Sequence, residues 1–356
     1  SYEDINEIIK VSHGTIAKIQ LWLQTYGDGF RAAIPKLDKV AAKLTELLKR
    51  PVKKMDDSIG SLVEKTVSNL KEGEVVLLEN LRFHPEEEAN NDKFSKKLAL
   101  LGDLYIDDAF ACAHRAHASI VGVTKYLKSG AGLLLAREIE YLDKLNESPA
   151  TPYVAILGGA KVADKITVIQ NLLNKVNTIL VGGGMAYTFL KAQGKDIGSS
   201  KLDKDNVDTA SKILTQARKK GVEIVLPVDH LVTDNVQGKG RLKIEKNNIS
   251  EGFSGVDIGP ETIKLFTAKL LSAQTIIWNG PLGIFENDKF SEGTRSIATT
   301  LAGLKAIRVI GGGETVAAAE KFQVAGQMSH ISTGGGAFLE FMEGKELPGI
   351  AALTNK

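Results

Sequence analysis

Residues Thr178–Leu190 read TILVGGGMAYTFL: a short run of apolar and β-branched residues, three glycines, then apolar residues at helical spacing. That order describes a strand, a tight turn and a helix. The same order recurs around it. Val154–Leu157 runs into Gly158-Gly159-Ala160-Lys161, and Ile307–Ile310 into Gly311-Gly312-Gly313-Glu314-Thr315, while Gly334-Gly335-Gly336 forms a fourth cluster. Further short apolar runs lie at Val75–Leu78, Leu104–Ile106, Ile224–Leu226 and Thr275–Trp278. They lack the polar alternation of a half-exposed strand and so predict strands covered on both faces. Helical periodicity fills Ser61–Lys71, Asp205–Lys219, Pro260–Leu271 and Ser291–Leu304. Strands alternating with helices predict an α/β fold of parallel sheets with right-handed crossovers.

A charged helix, Ala136–Leu145, is followed by the proline-punctuated stretch 146–152, which places a domain boundary near residue 150. Three or four strands are expected before it and about six after it. A chain of 356 residues is long enough for two such domains. The 45 basic and 43 acidic side chains nearly cancel, so bulk charge gives no support to a nucleic-acid partner. A single cysteine excludes a disulfide framework and a cysteine-rich zinc site. No apolar run is long enough to span a bilayer, and the opening SYEDINEIIK is unlike a secretion signal. The expected setting is the cytoplasm, with no membrane partner.

Four glycine clusters in one half of the chain exceed what turn-making alone requires. At the carboxyl ends of parallel strands, glycine lets backbone approach a ligand, and helix N-termini offer N–H groups to anions. Neither a Walker A motif nor a spaced G-x-G-x-x-G is present. Lys161 and Lys165, four residues apart, are expected on one helical face, where paired ammonium groups suit a polyphosphate. The segment Trp278–Glu286 offers an amide, an apolar wall and a carboxylate, an inventory for a nucleoside: Asn279 toward phosphate, Glu286 toward ribose. Glu314 is the candidate Mg²⁺ ligand, since that ion takes one or two carboxylates plus phosphate oxygens. In the first half, Arg82 and Arg115 follow strand ends, placed either to clamp a small anion or to form surface ion pairs. His114 and His117 lack the spacing of a metal set and are expected in packing or hydrogen bonding. Cys112 reads as an apolar filler.

Taken in order, the segments LLENLRFHPEEE, DDAFACAHRAHAS, VAILGGAKVADKI, ILVGGGMAYTF, LPVD, DIGPETI, IIWNGPLGIFE, IGGGETVAAAE and MSHISTGGGAFLEFMEGKELPGIAAL resemble the phosphoglycerate kinase family. The resemblance runs from about Pro51 to the C-terminus. It implies a glycolytic phosphotransferase moving phosphate between ATP and 3-phosphoglycerate, with ADP and 1,3-bisphosphoglycerate on the other side of the reaction, Mg²⁺ as cofactor, and a monomer. It implies two doubly wound parallel-sheet domains across a hinged cleft: residues 1–135 for phosphoglycerate, 136–150 as linking helix and hinge, 151–340 for nucleotide, with the tail 341–356 returning to the first. Carried over by motif, Gly159, Lys165, Gly183, Asn279, Glu286, Gly312, Gly313, Glu314 and Thr315 hold the nucleotide, Glu314 also the metal. Lys161 with Gly334, Gly335 and Gly336 serves the phosphoryl group in flight. Arg82, Arg115 and His13 hold phosphoglycerate.

The first fifty residues depart from the family pattern. The family's opening Asp-Phe-Asn-Val-Pro strand is absent, Val11-Ser12-His13 lacks the Leu-Gly-Arg-Pro that should follow, and Gly29 stands where a catalytic arginine is expected before Phe30-Arg31. Glu314 replaces the usual aspartate. These departures imply an incomplete or rearranged first-domain sheet. They also imply a turnover lowered by about 10²–10³ through loss of one preorganised donor. The alternative function is a truncated or engineered nucleotide-binding relative with little or no kinase activity.

Overall fold

The computed structural model describes residues 36–147 and 149–353. The chain divides into two compact units, one holding residues up to Ile139 together with those from Glu346 onward, the other Glu140–Lys345. His13, Gly29 and Arg31 lie outside the described residues.

In the first unit, α1 (Asp38–Leu48), β1 (Val52–Lys54), α2 (Ser61–Ser68), β2 (Val75–Leu77), α3 (Pro85–Glu88), α4 (Asp92–Ala99), β3 (Leu104–Asp107) and β4 (Lys128–Ala131) follow one another. Among the described residues, the strands form two separate parallel pairs, β1 with β2 and β3 with β4. The expectation that Leu104–Ile106 is covered on both faces is corrected here. Leu104 and Ile106 are 55% and 42% exposed while Tyr105 and Asp107 turn inward, the period-2 pattern of a strand with one covered face. Asn91 caps α4 by accepting the Phe94 N–H at 3.1 Å, and Phe94, Leu98 and Ala118 form the core beneath that helix. The helix α5 (Leu133–Asn146) runs from this unit into the second. Its first turn donates the N–H groups of Leu134 and Leu135 to Asp108 at 2.7 and 2.9 Å.

The second unit continues with β5 (Tyr153–Leu157), α6 (Ile166–Leu172), β6 (Thr178–Val181), α7 (Met185–Ala192), α8 (Val207–Lys219) and β7 (Glu223–Val225). Then come β8 (Asp229–Thr233), β9 (Leu242–Lys246), β10 (Ser254–Ile258), α9 (Pro260–Leu271), β11 (Thr275–Asn279), α10 (Glu292–Gly303), β12 (Ile307–Ile310), α11 (Gly313–Lys321), β13 (His330–Ile331) and α12 (Gly335–Met342). The short α13 (Pro348–Ala351) belongs to the first unit, where the Gly349 N–H donates to Ala113 O at 2.8 Å. Six strands form one parallel sheet in the order β13-β12-β11-β5-β6-β7. Every residue of β5, β6 and β11 is buried, which explains their unbroken apolar runs. The order reverses between β5 and β11, and that switch point is where an open parallel sheet leaves a crevice beyond its strand ends. Among the described residues no helix is long and apolar enough to cross a membrane.

One part of the expected topology is wrong. β8, β9 and β10 form a separate antiparallel sheet in the order β10-β8-β9, so among the described residues the second unit has nine strands rather than about six. The sequence hides them because β8 carries Asp229 and His230 in its buried positions and β9 alternates apolar with charged residues.

His230 makes a measurable difference. It is wholly buried, neither ring nitrogen has a hydrogen-bond partner, and its ring lies 5.5 Å from that of Tyr187. Burial lowers its pKa from 6.5 to about 4, against the opposing pull of Asp229 and Glu245. Between those values the unfolded chain binds a proton that the folded chain refuses, so this group's contribution falls as pH drops through that window. The size is of the order of 3 kcal/mol. Asp257 acts with the opposite sign: burial raises its pKa to about 7, although the Gly293 and Ile258 N–H groups hold it down, and its contribution is lost as pH rises toward that value. The comparison must therefore be between variants. His230→Leu is expected to hold its urea midpoint from pH 6.5 to 4.5 better than the parent. Parallel curves for the two proteins would refute this.

Candidate functional site

The glycine turns after β5, β6, β11 and β12 meet at the switch point, where they bond mainly to one another. The N–H groups of Gly158 and Gly159 donate to Asn279 O and Pro281 O at 3.0 and 3.1 Å, and that of Gly183 to Leu282 O at 2.9 Å. The Met185 N–H, at the start of α7, donates to Gly159 O at 3.0 Å, and the Gly311 N–H to Trp278 O at 3.1 Å. Thr315, in the first turn of α11, accepts the Gly280 N–H at 2.7 Å. This is why the glycines are needed. A Cβ on Gly158 would stand 2.0 Å from Pro281 O, and Gly183, with φ +65°, would bring one to 2.8 Å from the Gly159 backbone. Gly312 adopts φ +90°, which lets the chain turn into α11.

Asn279, at the end of β11, is buried with both ends of its amide engaged. Its Nδ2 donates to Gly311 O at 2.7 Å and its Oδ1 accepts from Lys165 Nζ. In the structure this side chain ties the end of β11 to the turn after β12 and to a lysine. Lys165 is half-buried, and burial holds its ammonium below the usual lysine range although Asp164, Glu314 and Glu343 pull the other way. The expected shared helical face for Lys161 and Lys165 is corrected as well. α6 begins only at Ile166, Lys165 ends a 3-10 turn (Ala163–Lys165), and Lys161 is exposed in the loop before it.

Glu286 and Glu314 are both exposed, the first in the turn after Phe285, the second in the first turn of α11. Among the described residues no three acidic, histidine or cysteine side chains converge on a metal position. A lone exposed carboxylate fits a divalent ion that brings most of its ligands with a nucleotide. Gly334 caps α12 and donates its N–H to Ser332 Oγ at 3.4 Å; Gly335 and Gly336 open the helix, the latter exposed.

In the first unit, Arg82 sits in a 3-10 turn after β2, is exposed, and its Nε lies 3.6 Å from Glu88 Oε1. Arg115 is half-buried, its Nε donating to His114 Nε2 at 3.3 Å. The charge of Arg82 acts on both Cys112 and His117, so the first arginine lies beside the loop that carries the second. Burial outweighs it at Cys112 and pushes the thiol up. His117 faces buried Glu87 at 3.8 Å, and Glu87 in turn accepts the Ser119 N–H and hydroxyl at 3.0 and 2.5 Å.

The family model described as phosphoglycerate kinase matches residues 26–345. The chain belongs to the phosphoglycerate kinase family. The match begins ahead of Pro51 and takes in residues 26–50. A phosphoglycerate kinase of Pelotomaculum thermopropionicum is 52% identical over 322 residues, 90% of this chain and 82% of the relative. One of Dictyoglomus turgidum is 52% identical over 328 residues, with the same shares of the two chains. The structure of phosphoglycerate kinase from Coxiella burnetii superposes with a TM-score of 0.83 at 40% identity, covering 92% of this chain and 84% of that one. Membership of the phosphoglycerate kinase family makes this chain a phosphotransferase with ATP or ADP as one substrate.

Proposed function

We propose that the second unit binds the nucleotide at the β5–β11 switch point and that the first binds 3-phosphoglycerate through Arg82 and Arg115. The observation that carries the reading is the stitched set of glycine turns with Lys165 held at their centre. The acceptor is a carboxylate, already an anion at neutral pH, so the chain needs no general base. Its task is to position two anions and offset oxygen charge. Gly312, Gly313 and Thr315 offer the start of α11 to the phosphates, Gly159 and Gly183 keep the wall low enough for close approach, and Glu286 takes the ribose. Lys165 and Lys161 supply positive charge, with the N–H groups at Gly334, Gly335 and Gly336 as further donors to the phosphoryl oxygens. Glu314 would hold Mg²⁺, which when bound offsets charge on the phosphate oxygens. Donor and acceptor residues both lie on one chain, so we take the monomer as the working form, in the reducing cytoplasm that its single thiol suits.

The test is a coupled assay with ATP and 3-phosphoglycerate beside calorimetry with ADP. Turnover with both substrates is the expected result. ADP binding with no transfer to 3-phosphoglycerate would favour the nucleotide-binding relative without kinase activity. Arg115→Ala is expected to raise KM for 3-phosphoglycerate about ten- to a hundred-fold, as loss of a charge-assisted contact does, with ADP affinity unchanged.

A further inference from the structure

Lys321, in the last turn of α11, reaches back to the loop that carries Glu286. Its Nζ donates to Phe285 O at 2.8 Å and to Glu286 O at 3.2 Å, and pairs with Asp288 Oδ1 at 2.7 Å. An ammonium group has three N–H donors, and here each has an acceptor. Among the described residues, Lys321 is the donor that these two carbonyls share. The earlier part of the loop is fixed otherwise: Leu282 N–H donates to Thr294 Oγ1 at 3.1 Å and Ile284 N–H to Val256 O at 2.9 Å. The Lys321 side chain is 30% exposed, and the pairing holds the Asp288 carboxyl below the usual carboxylate range.

We propose that Lys321 is a positioning residue for the nucleotide, fixing the backbone under Glu286 relative to the helix whose opposite end, Gly313–Thr315, receives the phosphates. The inference rests on the assignment of Glu286 to the nucleotide. One rigid helix then spans both ends of the ligand: its N-terminus meets the phosphates, and its last turn sets where the Glu286 carboxylate stands for the ribose hydroxyls. A lysine in the last turn also suits the helix dipole. That role alone would alter the melting temperature and leave ADP affinity as it was.

The experiment measures ADP affinity by calorimetry, with melting temperatures, for the parent, Lys321→Met, Glu286→Ala, their double variant and Asp288→Asn. Lys321→Met is expected to weaken ADP about ten-fold, with KM for 3-phosphoglycerate unchanged. The double variant is expected to bind about as weakly as Glu286→Ala alone, because the lysine acts through the glutamate's placement. Asp288→Asn, at a side chain 81% exposed, is expected to fold normally and lose about two- to three-fold in ADP affinity. A Lys321→Met affinity within about two-fold of the parent, or additive losses in the double variant, would overturn the proposal while leaving Glu286 in place. Unchanged ADP affinity in Glu286→Ala would instead remove the assignment on which it rests.

Discussion

Lys165→Met is expected to lower kcat/KM for ATP by about 10²–10³, the cost of losing one preorganised charged donor at a reacting phosphate. The lysine is already half-buried and tied to Asn279 Oδ1 before any ligand arrives, so much of its dehydration cost is borne by the folded protein itself. An ammonium in that setting interacts with phosphate more strongly than one that must first shed water. The depressed pKa shows that the folded state carries this charge at a cost. Removing the charge relieves that cost but leaves the buried Asn279 Oδ1 without its donor, so the two effects oppose each other and the melting temperature is expected to change little, separating the catalytic effect from a loss of fold. Lys165→Arg is not expected to restore the rate, because a planar fork cannot take the place of a compact charge beside a single amide oxygen. Steady-state kinetics of both variants, with ADP calorimetry, provide the check, and a kcat/KM for Lys165→Met within about three-fold of the parent would contradict it.

The second large effect is on stability. Asp229→Ala is expected to cost about 3–5 kcal/mol, read as a fall in urea midpoint at constant slope. Asp229 lies at the start of β8, wholly buried, yet it serves α9 thirty residues on. Its carboxylate accepts the N–H groups of Glu261 and Thr262 at 2.9 and 2.7 Å and the Thr262 hydroxyl at 2.7 Å. Those N–H groups belong to the first turn of a helix and have no partner within it. With alanine they stay buried and unpaired, at about 1–3 kcal/mol for each donor. Asp229→Asn keeps one acceptor and is expected to lose about half as much. A loss below about 1 kcal/mol for the alanine variant would show that water or a shift of α9 replaces the carboxylate.

What could be read in advance depended on burial. Thr178–Val181, Ile307–Ile310 and Pro260–Leu271 have the bounds that their residues predict. Thr178–Val181 has no solvent-facing position to interrupt its apolar run, Ile307–Ile310 keeps three apolar residues around a half-buried Arg308, and the proline marks the first helical residue. Glycine clusters mark the strand ends because at Gly158 and Gly183 the neighbouring main chain comes too close for a Cβ. The antiparallel sheet escaped notice since Asp229 and His230 are polar residues serving buried tasks, one as a remote helix cap, the other packed neutral. Asn279 and Lys321 were harder still. Each looks like a ligand or a solvated side chain until the fold shows which carbonyls it reaches, and those acceptors lie 32 and 36 residues away along the chain. No local pattern encodes that.

The reciprocal contact of Gly158 and Gly280 limits how this site can diverge. A Cβ on Gly158 would strike Pro281 O, and one on Gly280 would come within 2.3 Å of Gly158 O. Each residue is the other's wall, and that wall is main chain, which substitution cannot trim. A library that varied these turns would find no tolerated change at Gly158 or Gly280. Diversity would have to come from neighbouring positions that no such wall closes, such as Gly313, where an added Cβ meets nothing within 4 Å.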